Sequence, residues 1–86
     1  MEKLSDMPNI GSTLEKKLMK VDILDPETLK QLGSKEAFIR IRNIDDTACL
    51  NMLCALEGAV QGMRWHGLSP EDKKDLKDFF QILQRG

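Results

Sequence analysis

Pro8-Asn9-Ile10-Gly11, running into Ser12, Thr13, Lys16 and Lys17, is the stretch whose residue types and spacing could do chemistry. That chemistry is phosphate binding. Backbone N–H groups of Ile10, Gly11 and Ser12 at a helix start, the hydroxyls of Ser12 and Thr13, and the ammonium groups of Lys16 and Lys17 would together hold a phosphate, reading no base sequence. Gly11 can take a positive φ or admit a ligand closely, Asn9 tolerates the left-handed region, and Pro8 fixes the approach. The same residues also have an architectural reading, in which the turn reverses the chain and seats Ile10 in the core.

Other reactive residue types are weaker candidates. Trp65, flanked by Arg64 and His66, could stack on a ligand, but a domain with four aromatic residues needs Trp65 as core area. His66 has no nucleophile or oriented carboxylate beside it in sequence, and no His or Cys companion at ligand spacing. Glu57 lies within an apolar helix and is expected either to share a narrow polar strip with Asn51 or Gln61 or to be buried against a base such as Arg64 or Arg40 as a structural ion pair, because a buried carboxylate is too costly to leave unpaired. Cys49 and Cys54, five helical residues apart, would point about 140° from each other. They read as two small apolar residues in a reduced core. No paired carboxylates, metal cluster or nucleophile–base spacing appears, so no enzyme, metal or cofactor is expected.

The elements that must position these residues are helical. Leu, Met, Lys and Glu dominate over Val and Ile, and Tyr is absent. A first helix spans about Gly11 to Lys20, with Leu14 and Leu18 inward. Asp25-Pro26-Glu27 starts a second, short helix that Gly33 ends. Ser34 is expected to cap a third, about Lys35 to Arg42, with Ala37, Phe38 and Ile41 inward and Glu36 paired to Arg40. The longest helix is expected to start at Asp45, Asp46 or Thr47 and to run to about Gly62 or Met63. It is apolar on nearly every side and therefore central. Gly58 and Gly62 within it mark a close helix crossing, since each otherwise costs about 1 kcal/mol against Ala. Ser69-Pro70-Glu71-Asp72 opens the last helix, whose inner stripe is Leu76, Phe79, Phe80 and Leu83. The segments Asn9–Thr13 and Asn43–Thr47 echo each other and would be pseudo-equivalent turns. The expectation is an all-α, compact five-helix globule with a helix-hairpin-helix-like N-terminal turn, one domain over residues 1–86 with an ordered core of about 7–84.

Charge bounds the partners. Thirteen basic residues face fourteen acidic ones. Residues 1–33 carry five Lys against six acids, residues 34–66 four basic against four, and residues 67–86 four against four. A dedicated nucleic-acid domain usually carries a positive field, and none is present here. No apolar run reaches the length of a membrane span and residues 1–5 are too polar to begin a secretion signal, so a cytoplasmic protein is expected.

Met7 to Phe80 resembles the C-terminal domain of the TfoX/Sxy-type competence regulators, bacterial proteins linked to expression of DNA-uptake genes. Pro8-Asn9-Ile10-Gly11, Leu14 with Leu18, Thr28-Leu29 through Leu32-Gly33, Lys35-Glu36-Ala37-Phe38, Cys49-Leu50-Asn51, Ala55-Leu56-Glu57-Gly58-Ala59 and Arg64-Trp65-His66 carry the likeness, in that order. The resemblance implies a helical fold related to helix-hairpin-helix and SAM-like domains, and no enzyme activity. Full-length members carry another domain ahead of this one, so the chain looks like a freestanding C-terminal module. Its six residues before the turn leave room only for a short or frayed first helix. DNA-binding forms of the motif usually have Gly where Asn9 stands.

The functional expectation is a non-enzymatic regulatory or adaptor module that binds a protein partner, through the face around the hairpin and the helix carrying Arg40 and Arg42. The alternative is weak, sequence-nonspecific DNA binding through Asn9–Lys17. Glu57, Gly58, Gly62 and Trp65 are assigned to structure.

Overall fold

The computed structural model describes residues 3–85; Met1, Glu2 and Gly86 of the expected single domain lie outside the described residues. A 3-10 turn at Leu4–Asp6 leads through the Pro8 turn into α1 (Ser12–Lys20). α2 (Pro26–Leu32), α3 (Ser34–Ile44) and α4 (Leu50–Gln61) follow, then a 3-10 turn at Trp65–Gly67 and α5 (Pro70–Arg85). No strand occurs among the described residues. α2 and α3 are joined by Gly33 alone, which caps the end of one and the start of the other at φ +85°. Two of the expected helices therefore follow one another with no connecting loop. What precedes the turn is a single 3-10 turn, where a helix-hairpin-helix has an α-helix.

Local chemistry explains most boundaries. Asp25 accepts from the Thr28 N–H (2.7 Å) with Pro26 in the first turn of α2. That backbone bond holds the Asp25 carboxyl below its ordinary value. Ser69 accepts from the Asp72 N–H (3.0 Å) at the start of α5. α1 ends in a Schellman motif, with Ile23 N–H on the Leu18 carbonyl and Asp22 N–H on that of Met19. Ile23 and Leu18 are both fully buried beneath it. Asp22 takes the left-handed position that glycine usually fills, at φ +65°. A left-handed L residue costs about 1–2 kcal/mol, whereas added glycine freedom in the unfolded chain costs about 0.4–1 kcal/mol. Asp22→Gly is therefore expected to stabilise the fold by about 0.5 kcal/mol, read as a higher denaturation midpoint with an unchanged slope.

α4 is central, packing against α3, α5, α2 and the second 3-10 turn. Its Leu53, Leu56 and Ala59 are wholly buried and meet Leu18, Ile23, Leu29, Phe38 and Ile41 in one core. Leu76 anchors α5, with Phe79, Phe80 and Leu83 half-buried beside it.

Several expectations are corrected. α4 begins at Leu50, not at Asp45–Thr47, because Asp45 turns its carboxylate onto the Thr47 N–H (2.9 Å) and hydroxyl and closes a turn instead of a helix cap. α5, at 16 residues, exceeds the 12 of α4. Gly33, not Ser34, caps α3, and Ser34 is its first residue. Asn43 and Ile44 are the last residues of α3, so Asn9–Thr13 and Asn43–Thr47 are not equivalent turns. Cys49 is exposed ahead of α4, whereas Cys54 is buried and its thiol pushed up by desolvation. Among the described residues, Glu36 and Arg40 form no ion pair; Lys17–Asp45 and Lys35–Asp75 do.

Candidate functional site

Met7-Pro8-Asn9-Ile10 closes a turn through Ile10 N–H on the Met7 carbonyl (3.3 Å), with Pro8 at its second position and Asn9 at its third, φ +69°. Proline there and a positive φ after it define a type II turn. Met7 and Ile10 are buried on either side of it. The left-handed residue is Asn9 and not Gly11, which caps α1 in extended backbone with open space around its Cα.

The Asn9 side chain points into the body. Its Nδ2 donates to the carbonyls of Met63 (2.9 Å) and Ala55 (3.4 Å), and its Oδ1 accepts from the Trp65 N–H (3.2 Å). The N-terminal turn is thereby clasped to the end of α4 and the segment after it. Gly58 makes the room, because a Cβ there would overlap Asn9 Nδ2 and come within 2.8 Å of the Met63 carbonyl. The close approach expected at Gly58 is real, but it is made by a side chain and a loop, not by a crossing helix. Gly62 has no such neighbour; it ends α4 in the left-handed conformation at φ +78°. Spacing alone could have flagged neither contact, since Asn9 and Trp65 are 56 residues apart.

The remaining hairpin candidates divide. Gly11, Ser12, Thr13 and Lys16 are exposed at the start of α1, whereas Ile10 is buried and its N–H is spent inside the turn. Lys17 is drawn away to Asp45 (2.6 Å). The Lys17 hydrogen bond, followed by those of Thr47, holds the Asp45 carboxyl far below the ordinary carboxylate range. A depressed folded-state value means stability that is present above the unfolded pKa of about 3.9 and is lost as pH falls through the folded value. In acid thermal melts the destabilising effect of Asp45→Asn is expected to be constant above about pH 5 and to fade on acidification below about pH 4. Two acids also sit at the hairpin: Glu15 accepts from the Ser5 N–H (3.0 Å) and Asp6 from that of Lys3 (3.0 Å).

Arg40 and Arg42 are both half-buried. Two helical residues apart, they point about 200° from each other and do not share a face. Arg42 donates to the Leu83 carbonyl (2.9 Å) in the last turn of α5. Glu57 pairs with neither Arg64 nor Arg40. It accepts from the buried Ser34 hydroxyl (2.6 Å) and from the Gln61 amide, which also donates to Asp72 (3.0 Å). Ser34 opens α3, so the carboxylate is satisfied by neutral donors at a helix N-terminus, where the backbone dipole favours it. Trp65 is half-buried against the core and carries His66 stacked on its ring (4.1 Å).

A shallow groove remains, with Ser5–Gly11 on one side and Gly62–Arg64 on the other. Arg64 and Met63 are exposed along it. Among the described residues no group of three or more His, Cys, Asp or Glu could hold a metal ion, and no helix is long and apolar enough to cross a membrane.

Fold and site define a small all-helical module built around a clasped N-terminal turn. The chain belongs to the TfoX C-terminal domain family, whose profile matches residues 1–80. It is 32% identical over 82 residues to Protein Sxy of Escherichia coli (strain K12), across 95% of this chain and 39% of that protein. The chain thus spans about two fifths of the length of that curated relative. An uncharacterized protein from Listeria monocytogenes, in a triclinic crystal form, is 53% identical with a TM-score of 0.96, over 96% of this chain and 94% of that one. A protein of unknown function from Listeria monocytogenes, in a tetragonal form, is 55% identical with a TM-score of 0.91, over 93% and 98%.

Proposed function

We propose that this chain is a non-enzymatic regulatory adaptor of the competence-regulator C-terminal type, and that it works in the bacterial cytoplasm by binding a protein partner. Family membership supports the regulatory class. The observation that carries the choice of partner is the inward commitment of the hairpin: the Asn9 amide is bonded to α4 and the Trp65 segment, and Lys17 is neutralised by Asp45. A phosphate cradle needs free donors and a positive field, and the turn keeps only Gly11, Ser12, Thr13 and Lys16 on the surface of a chain with net charge −1. The groove beside the turn, with the exposed Met63 and Arg64, is the surface assigned to the partner.

Two measurements test this reading. A fluorescent DNA duplex titrated at low salt is expected to show no anisotropy change up to high micromolar protein, and affinity capture from the native cytoplasm is expected to retain a protein that nuclease does not release and Arg64→Glu does. Gly11 has open space around it, so Gly11→Glu should fold. Duplex binding that Gly11→Glu abolishes would replace the protein partner with DNA.

A further inference from the structure

We propose that the outer face of the seam between α3 and α5 is a self-association surface, closed by a second copy of this chain across a two-fold axis. The two helices flank α4, point in the same direction and are bridged by long side chains, whose contacts advance together. Lys35 reaches Asp75 (2.7 Å) and lies over the Phe79 ring (5.2 Å), Phe38 meets Phe80 edge-on (5.9 Å), and Arg42 donates to the Leu83 carbonyl (2.9 Å). With Phe38 and Ile41 of α3 turned to the core, a rotation of about 100° per residue sets Ile39 on the outer edge of the seam. With Leu76 and Phe80 of α5 turned inward, the same rotation sets Ile82 on the facing edge. Ile82 keeps 65% of its surface exposed, and Ile39, Phe79 and Leu83 are half-buried around it.

Charge decides the occupant. Along α5 Asp78 precedes Ile82 and the base Arg85 follows it, Asp75 being paired to Lys35 of its own chain, with Arg42 of α3 beside the basic end. A two-fold axis perpendicular to the seam, at the level of Ile39 and Ile82, makes this pattern its own complement. Ile82 then packs on the apolar strip of the copy, while Arg42 and Arg85 of each chain meet Asp78 of the other. Isologous contacts require such self-complementarity. A face two helices wide is only as long as the 11 residues of α3, about 16 Å, and buries less than the roughly 800 Å² per partner of a standard interface, so association is expected at high micromolar concentration. The surface is separate from the hairpin groove, and failure of either assignment leaves the other standing.

Sedimentation equilibrium of the whole chain tests the proposal. The wild type is expected to pass from monomer to dimer between low and high micromolar concentration, and Ile82→Glu to stay monomeric. Arg85→Asp and Asp78→Arg are each expected to weaken association by about tenfold or more. Mixed in equal amounts, these two charge variants should associate more strongly than either alone, because positions 78 and 85 then carry opposite charges across the axis. All three positions are exposed, and unchanged thermal melts will show that the variants fold. A wild type monomeric at every concentration, a dimer indifferent to Ile82→Glu, or a mixture no stronger than its components overturns the proposal.

Discussion

Gly58→Ala is expected to destabilise the fold by about 2–4 kcal/mol, although alanine is the better helix former by about 1 kcal/mol. Gly58 is buried in α4, and the added methyl would collide with the Asn9 amide and press on the Met63 carbonyl. The amide can swing away, but then its bonds to Met63, Ala55 and Trp65 go with it. The carbonyl cannot yield so easily, because its own residue closes the end of α4 through Met63 N–H on the Gly58 carbonyl. Overpacking costs about 1–3 kcal/mol and the stranded polar groups about 1–3 more, so the two outweigh the gain in helix propensity. For a domain of this size the melting temperature should fall by about 10–20 °C. A variant that melts within a degree or two of the wild type would show that no tight contact exists at Gly58.

Asn9→Ala attacks the same clasp from the other side, with an expected cost of about 2–4 kcal/mol. Three bonds disappear, leaving the part-buried Trp65 N–H without its acceptor. Alanine must also hold φ +69°, which asparagine tolerates and alanine does not. Asn9→Gly separates the two costs, since it keeps the turn geometry and loses only the clasp, and should fall by about 1–2 kcal/mol. In the Asn9→Ala, Gly58→Ala double variant the losses should sum to about 1–2 kcal/mol less than the two single effects, because the added methyl no longer meets an amide. Strict additivity in chemical denaturation would mean that Asn9 and Gly58 do not share one contact. Trp65 fluorescence should shift in both single variants, as the backbone of that residue is one end of the clasp.

Sequence-local signals proved readable where capping and periodicity spoke together. Asp25 with Pro26, Ser69 with Pro70, the inward stripe of Phe38 and Ile41, and the all-α class follow from side chains within four residues of one another. Asp45-Asp46-Thr47 misled for a physical reason: the Asp and Thr groups that cap helices also close turns, and only the Lys17 side chain, a partner 28 positions away, shows which use was made. Gly58 was legible as a place of close approach and illegible as to what approaches. Glu57 similarly declared a need for a partner without declaring that a serine at the head of α3 would meet it. The turn itself was visible from Pro8 and the apolar Ile10. Its inward-facing amide was not, because an asparagine in a turn looks identical in sequence whether its side chain faces solvent or the interior.

The span between the two ends of the clasp also orders events in time. Helical neighbours in this domain are close in sequence and can form early, whereas the first turn must wait for Trp65. Synthesis at about 5–20 residues per second leaves the nascent amino terminus unlatched for about 3–11 s before its carbonyl and amide partners leave the ribosome. Damage to the latch should consequently quicken unfolding while leaving the refolding rate almost unaltered.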